Sequence, residues 1–248
     1  MTRLFAAELL KLRTLRSTWG FGLVTLAFGA LVTAGNIGGS TETDRLDPEL
    51  QFRIVLDAAF PASILALLVG IILVTNEFRH GTIARTLLAT PRRGRFVAVK
   101  LLTGAAAGAA LIVLMVVVVA VTAVIWLGIL DIPLAPGEAA DGFWRAVFAV
   151  VLAGTFGAAI GGAVHSQVGA LVGALVWMFV LEPICWVVLG LLDLDGIAEY
   201  LPAASLGGLV DSEGGDDVPW LGSAGAVLGW ITVATVLAVL RTRRRDIT

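Results

Sequence analysis

At 248 residues, with 58% hydrophobic content, 15% charged residues and a mean hydropathy of +0.95, the chain is too apolar for a water-soluble fold and falls among membrane proteins. Its single cysteine, Cys185, excludes an internal disulfide and a thiolate metal cluster. The net charge of -2 conceals a strong segregation of basic and acidic residues along the chain.

Residues 2–16 form a charged, helix-prone leader. Phe5, Leu9 and Leu12 share one face while Arg3, Lys11 and Arg13 lie away from it, the pattern of a helix along a membrane interface. The apolar run 19–35 follows. Its basic leader and Val32-Thr33-Ala34 end are also compatible with a secretory signal, but the long amphipathic leader and the further apolar runs favour an uncleaved first span. Residues 38–57 hold five acids (Glu42, Asp44, Asp47, Glu49, Asp57) against Arg45 and Arg53 and read as an outside loop. The second span is expected at 58–75, with Pro61 tolerated in its first turn.

A polar island, residues 76–100, separates that span from the next. It carries six of the seventeen basic residues (Arg79, Arg85, Arg92, Arg93, Arg95, Lys100) and one acid, Glu77, so the positive-inside rule places it in the cytoplasm. Ile83, Leu87 and Leu88 fall on one face of a short helix expected from Thr82 to before Pro91. Such an apolar ridge suits either the lipid surface or a groove on a partner protein.

The third run, 101–130, exceeds what one straight span needs and must tilt or protrude. Gly104 and Gly108 make a small-residue face on it. After an acidic outside loop (131–142) come the fourth span, 143–164, and the fifth, 168–192, joined by the inner turn His165-Ser166-Gln167, which makes them antiparallel neighbours. Gly157 and Gly161, then Gly169 and Gly173, have the four-residue spacing that permits close helix approach, or simply generic packing.

The fifth span holds the one acid deep in an apolar run, Glu182, followed by Pro183. A charge there costs about 2.5–3.5 kcal/mol on insertion scales. Glu182 must therefore face other helices or water, as part of a substrate path, as a switch, or as a protonated acid bonded to a neighbouring helix. Pro183 removes a helix hydrogen bond and favours a kink. Residues 193–219 carry seven acids and no base, with an apolar middle (197–210) able to dip into the outer interface, and the last span, 220–240, ends in Arg241, Arg243, Arg244 and Arg245. Fourteen basic residues thus fall inside and three (Arg45, Arg53, Arg145) outside, which predicts six spans in one domain, 1–248, with both termini cytoplasmic.

The chemistry that is missing narrows the function. A phosphate-binding loop needs Lys followed by Ser or Thr, whereas Lys11 and Lys100 both precede leucine. His80 and His165, the two histidines, have no ligand spacing and read as interfacial polar residues. No serine-hydrolase elbow or catalytic pair is evident, so the chain is not expected to be an enzyme.

Over its whole length the sequence resembles the type-2 permease family of ATP-binding-cassette (ABC) transporters. The resemblance rests on the leader Glu8-Leu9-Leu10-Lys11-Leu12-Arg13-Thr14 with Arg16-Ser17, on the island Glu77-Phe78-Arg79-His80-Gly81-Thr82-Ile83 running to Leu87-Leu88-Ala89-Thr90-Pro91-Arg92-Arg93, and on Glu182-Pro183. It implies an all-α membrane protein of six helices. The leader would be an interfacial elbow helix (Glu8, Lys11, Arg13, Arg16) and 197–210 a partly re-entrant outer segment. Between spans 2 and 3 a cytoplasmic coupling helix would seat on an ATPase through Glu77, Phe78, Arg79, His80, Thr82, Ile83, Arg85, Leu87 and Leu88.

The same resemblance implies a second permease copy, alike or related, a location in the plasma membrane, and ATP and Mg on the partner ATPase with no cofactor and no nucleic acid on this chain. The short outer loops depart from family members that recognise bulky external partners. The expected function is export of a hydrophobic or amphipathic substrate. The alternatives are an ion-gradient carrier using Glu182 and a non-transporting assembly or sensor protein.

Overall fold

The structure is a computed structural model that describes residues 2–14, 16–41, 46–47, 51, 57–81, 93–132, 140–210 and 220–244. Among these residues there is no strand. The elements are α1 (Thr2–Thr14), α2 (Arg16–Gly39), α3 (Ala59–Arg79), α4 (Arg93–Ile129), α5 (Ala140–Val164), α6 (Gln167–Val176), a π-helical turn (Trp177–Leu181), α7 (Glu182–Leu191), α8 (Asp195–Ala198), α9 (Pro202–Val210) and α10 (Trp220–Arg244). Six of these helical segments are long and apolar enough to cross a membrane: α2, α3, α4, α5, the continuous α6–π turn–α7 rod, and α10. The protein is a multi-span membrane protein.

The helices run past the boundaries that hydropathy suggests. α3 continues through Glu77 to Arg79 and stops where Gly81 adopts φ +65°, a left-handed position that glycine takes without a Cβ clash. α4 begins at Arg93, so both flanks of the polar island are extensions of spans. At 37 residues α4 is about 55 Å long by the α-helical rise. Its first turns, with Phe96, Val97, Val99 and Lys100 buried, pack on neighbouring helices. The expected coupling helix, with Thr82, Ile83, Arg85, Leu87 and Leu88, lies outside the described residues.

The core sits where α3, α4 and α5 cross, closed at one end by α9 and along one side by α10. Close crossing is set by glycines. Gly70 of α3 faces the Gly154 carbonyl and the Ala158 amide of α5, and Gly104 and Gly108 of α4 lie on the Gly154 and Val150 carbonyls, so a methyl group at any of the three would collide with backbone. Gly157 and Gly161 meet Leu67 and Ile71 of α3 in the same way. Gly173, by contrast, has nothing within 4 Å where a Cβ would point, and Gly169 touches the turn beside it: Ser166, whose hydroxyl caps α6, and Val164. Two of the three predicted small-residue faces therefore bring helices of this chain together and the third does not. α5 and α6 are antiparallel across the His165-Ser166 turn, but they part beyond it and leave an apolar cavity between them.

Candidate functional site

Two polar clusters lie at opposite ends of this apolar body, and each is built around buried carboxylates. The first joins α1, the end of α3 and the start of α4. Lys100 Nζ donates to Glu8 Oε2 at 2.6 Å and to Glu77 Oε1 at 2.7 Å. Lys11 Nζ donates to Glu8 Oε1 and to the same Glu77 Oε1, both at 2.6 Å. The result is a closed ring of alternating charge whose two acids and Lys100 are buried, while the Lys11 side chain is 45% exposed.

Helical spacing assembles the ring. Glu8 and Lys11 are three residues apart on one face of α1, and the extensions of α3 and α4 carry Glu77 and Lys100 out to meet it. Burial alone would raise the Glu8 carboxyl, but the charge and hydrogen bond of Lys100, joined by Lys11, hold it below its ordinary value. Burial likewise works to lower Lys11, and its bonds to Glu77 and Glu8 hold it above its ordinary value instead. Glu77 Oε2 is buried and has no hydrogen-bond partner among the described residues, so the ring has one unused acceptor.

Two neighbouring residues of the island reach the turn between α5 and α6. The Phe78 ring lies 4.2 Å from that of His165, and Arg79 Nη1 donates to Gln167 Oε1 at 3.1 Å, so both grip the turn between α5 and α6. His80 is exposed at the end of α3. Arg241 closes the same end of the bundle, donating to the Ala163 carbonyl at 2.6 Å. Arg13 lies in α1 and Arg16 heads α2, with their side chains outside the described residues.

The second cluster is at the other end. Glu182 is 3% exposed, and its carboxylate accepts three N–H bonds: from the Trp177 indole at 2.9 Å and the Ala203 amide at 3.0 Å on Oε2, and from the Ala204 amide at 2.6 Å on Oε1. Ala203 and Ala204 follow Pro202, the first residue of α9, so their amides are among the donors that a helix cannot satisfy internally. Glu182 caps α9 from the fifth span, and the positive end of the helix dipole faces its carboxyl group.

The π turn makes this possible. In an α-helix, residues five apart stand about 140° apart around the axis. The widened turn, closed by the Glu182 amide on the Trp177 carbonyl, brings the Trp177 indole round to Glu182. It falls immediately before Pro183, where a regular helix would crowd the proline ring. The apolar stretch 197–210 takes in the end of α8 and all of α9, which packs its Pro202, Ser205, Leu206, Leu209 and Val210 inward.

The chain matches no protein-family model and no curated protein. The geometry therefore stands by itself: one end offers a charged joint between three helices, and the other a carboxylate holding a short helix in place. Among the described residues no three His, Cys, Asp or Glu side chains converge to hold a metal ion. Lys100 and Trp177 belong to these clusters but carry no signal in local motif reading. One clue was present: Lys11 and Lys100 are the only lysines among seventeen basic residues, and both meet in the ring.

Proposed function

We propose that this protein is the transmembrane permease subunit of an ABC exporter for a hydrophobic or amphipathic substrate, driven by a separate ATPase. The observation that carries this reading is the charged ring. It ties α1 to both helix extensions that lead into and out of residues 82–92, so a force on that segment reaches the spans through fixed, buried bonds and not through a loose loop.

In this reading the ringed end faces the cytoplasm of a plasma-membrane permease, with both termini inside. The segment 82–92 docks on the ATPase, α1 is the elbow helix, and α9 is the re-entrant outer segment. A second copy or a relative completes the path. ATP and Mg belong to the ATPase, whose closure drives the spans from inner to outer access.

The test is purification of the tagged full chain from its native membranes, with measurement of Mg-dependent ATP hydrolysis in the eluate. Hydrolysis should co-purify and should fall with Arg85→Glu, which leaves the ring intact. Absence of any ATPase, or labelling from outside the cell at positions 79 and 95, overturns the reading.

A further inference from the structure

An apolar cavity of about 310 Å³ lies between α5, the α6–π turn rod, α9 and α10. Among the described lining residues, the two side chains that carry donors, Trp177 and Trp230, are both engaged, as is the amide of Ala203. The Trp177 indole and the Ala203 amide are bonded to Glu182, and the Trp230 indole donates to the Tyr200 carbonyl at 2.9 Å. Pro202 has no amide hydrogen to give. The occupant is therefore apolar along its whole inserted length, because a polar group placed there would lose its water without gaining a partner. Water itself is disfavoured for the same reason.

Size narrows the choice further. The volume is at the bottom of the about 300–1,000 Å³ range of ligand sites. That is too little for a helix of about 10–12 Å diameter, but it suits a single alkyl chain. The rim shows the way in: Gly173 on α6 and Val233 and Leu237 on α10 line the cavity and are exposed, so it opens sideways between two membrane-spanning helices.

We infer that this cavity takes one acyl chain of a membrane phospholipid, inserted laterally between α6 and α10. The chain packs against Trp177 and Ala203, the two residues whose N–H groups share Glu182 Oε2, and so completes the apolar wall behind the α9 cap. The inference requires only that the six helices sit in a bilayer, and stands or falls separately from coupling to an ATPase.

The experiment reconstitutes the full chain in phosphatidylcholine vesicles containing phosphatidylcholine with a diazirine on one acyl chain. After irradiation the adducts are mapped by peptide mass spectrometry. Adducts are expected on Met178, Leu206 and Trp230. They should fall by about tenfold, the change made by each 1.4 kcal/mol of lost packing, in Ala174→Phe, which fills the cavity from α6. Ala234→Leu, filling it from α10, gives an independent second variant should the first not fold. Labels confined to the outward-facing Val172, Val180 and Leu191 would overturn the proposal, as would undiminished cavity labelling in both folded variants. So would loss of cavity labels together with a crosslink between two copies at Val233→Cys, which would show a second chain seated there instead.

Discussion

The second and fifth spans invite comparison, because each is an apolar helix with a single buried glutamate, and they solve the same problem in opposite ways. α3 is buried over 61% of its most apolar stretch, whereas the fifth span is buried over 11%. Glu77, on the first, is held by two lysines from two other helices. Glu182, on the fifth span, meets no cation among the described residues; an indole and the first free amides of α9 donate to its oxygens. An ionic ring depends on every partner staying docked, because removing one leaves a bare buried charge. A helix end offers distributed backbone dipoles, which cannot be removed by a single side-chain change. The buried span is thus fastened by side chains, the exposed one by backbone.

The sharpest way to break this contrast is Lys100→Met. It leaves Glu8 and Glu77 buried with only the half-exposed Lys11 between them, and is expected to cost about 3–5 kcal/mol. The loss should register as a lowered unfolding temperature in detergent and as faster amide exchange in α1. Acid probes the same joint more gently. The Glu8 carboxyl is held low, so its contribution is complete above its unfolded value of about 4.3 and is lost as pH falls through the folded value. Lys11 is held high, so its part is complete below about 10.4 and is lost as pH rises through the folded value. The Glu8 and Lys11 contributions to the docking of α1 should therefore stay constant from about pH 5 to 10, and the Glu8 part should be lost on acidification below that range.

Next in size is Gly70→Ala on the second span. The new methyl would run into the Gly154 carbonyl and the Ala158 amide, which are backbone atoms of α5 and cannot rotate aside. Overpacking of this kind costs about 1–3 kcal/mol and sometimes more. On the fifth span, Glu182→Ala strands the Ala203 and Ala204 amides and the Trp177 indole. Loss of such a cap is worth about 0.5–2 kcal/mol, with exchange at the start of α9 accelerated accordingly. Glu182→Gln, which keeps one acceptor oxygen, should fall between wild type and Glu182→Ala. Equal exchange in all three would show that α9 is held by its apolar face alone.

Hydropathy was enough to find six apolar helices of membrane-spanning length, because the bilayer thickness sets a length that composition reveals directly. It placed the ends of α3 and α4 poorly. Residues 76–79 and 93–100 fall in the charged island, yet both are helical, and Glu77 and Lys100 on them find partners on α1 that no local window contains. The partner of Glu182 was illegible for a different reason: it is the backbone of α9, and amides of Ala203 and Ala204 leave no mark in side-chain identity. Phe78 and Arg79, named with the coupling residues, also reach the His165–Gln167 turn, a contact made only when α3 and α5 are laid side by side.

Glycine spacing was the least discriminating signal, and the smallest predicted effect exploits that. Gly157 and Gly161 on α5 have the same interval as Gly169 and Gly173, and only the first pair lies against a neighbouring helix. Gly173→Ala adds a methyl where nothing stands within 4 Å, at the rim of the cavity, and it replaces a poor helix former with the best one. The expected outcome is a gain of about 0.5–1 kcal/mol in the isolated chain, seen as a slightly raised unfolding temperature in detergent. A loss of stability of the size expected for Gly70→Ala would mean that a second helix already lies on that face when the chain is in detergent. The exposed span would then be buried after all, by a surface that a single chain does not possess, and the difference between the two spans would lie in which chain supplies the neighbour.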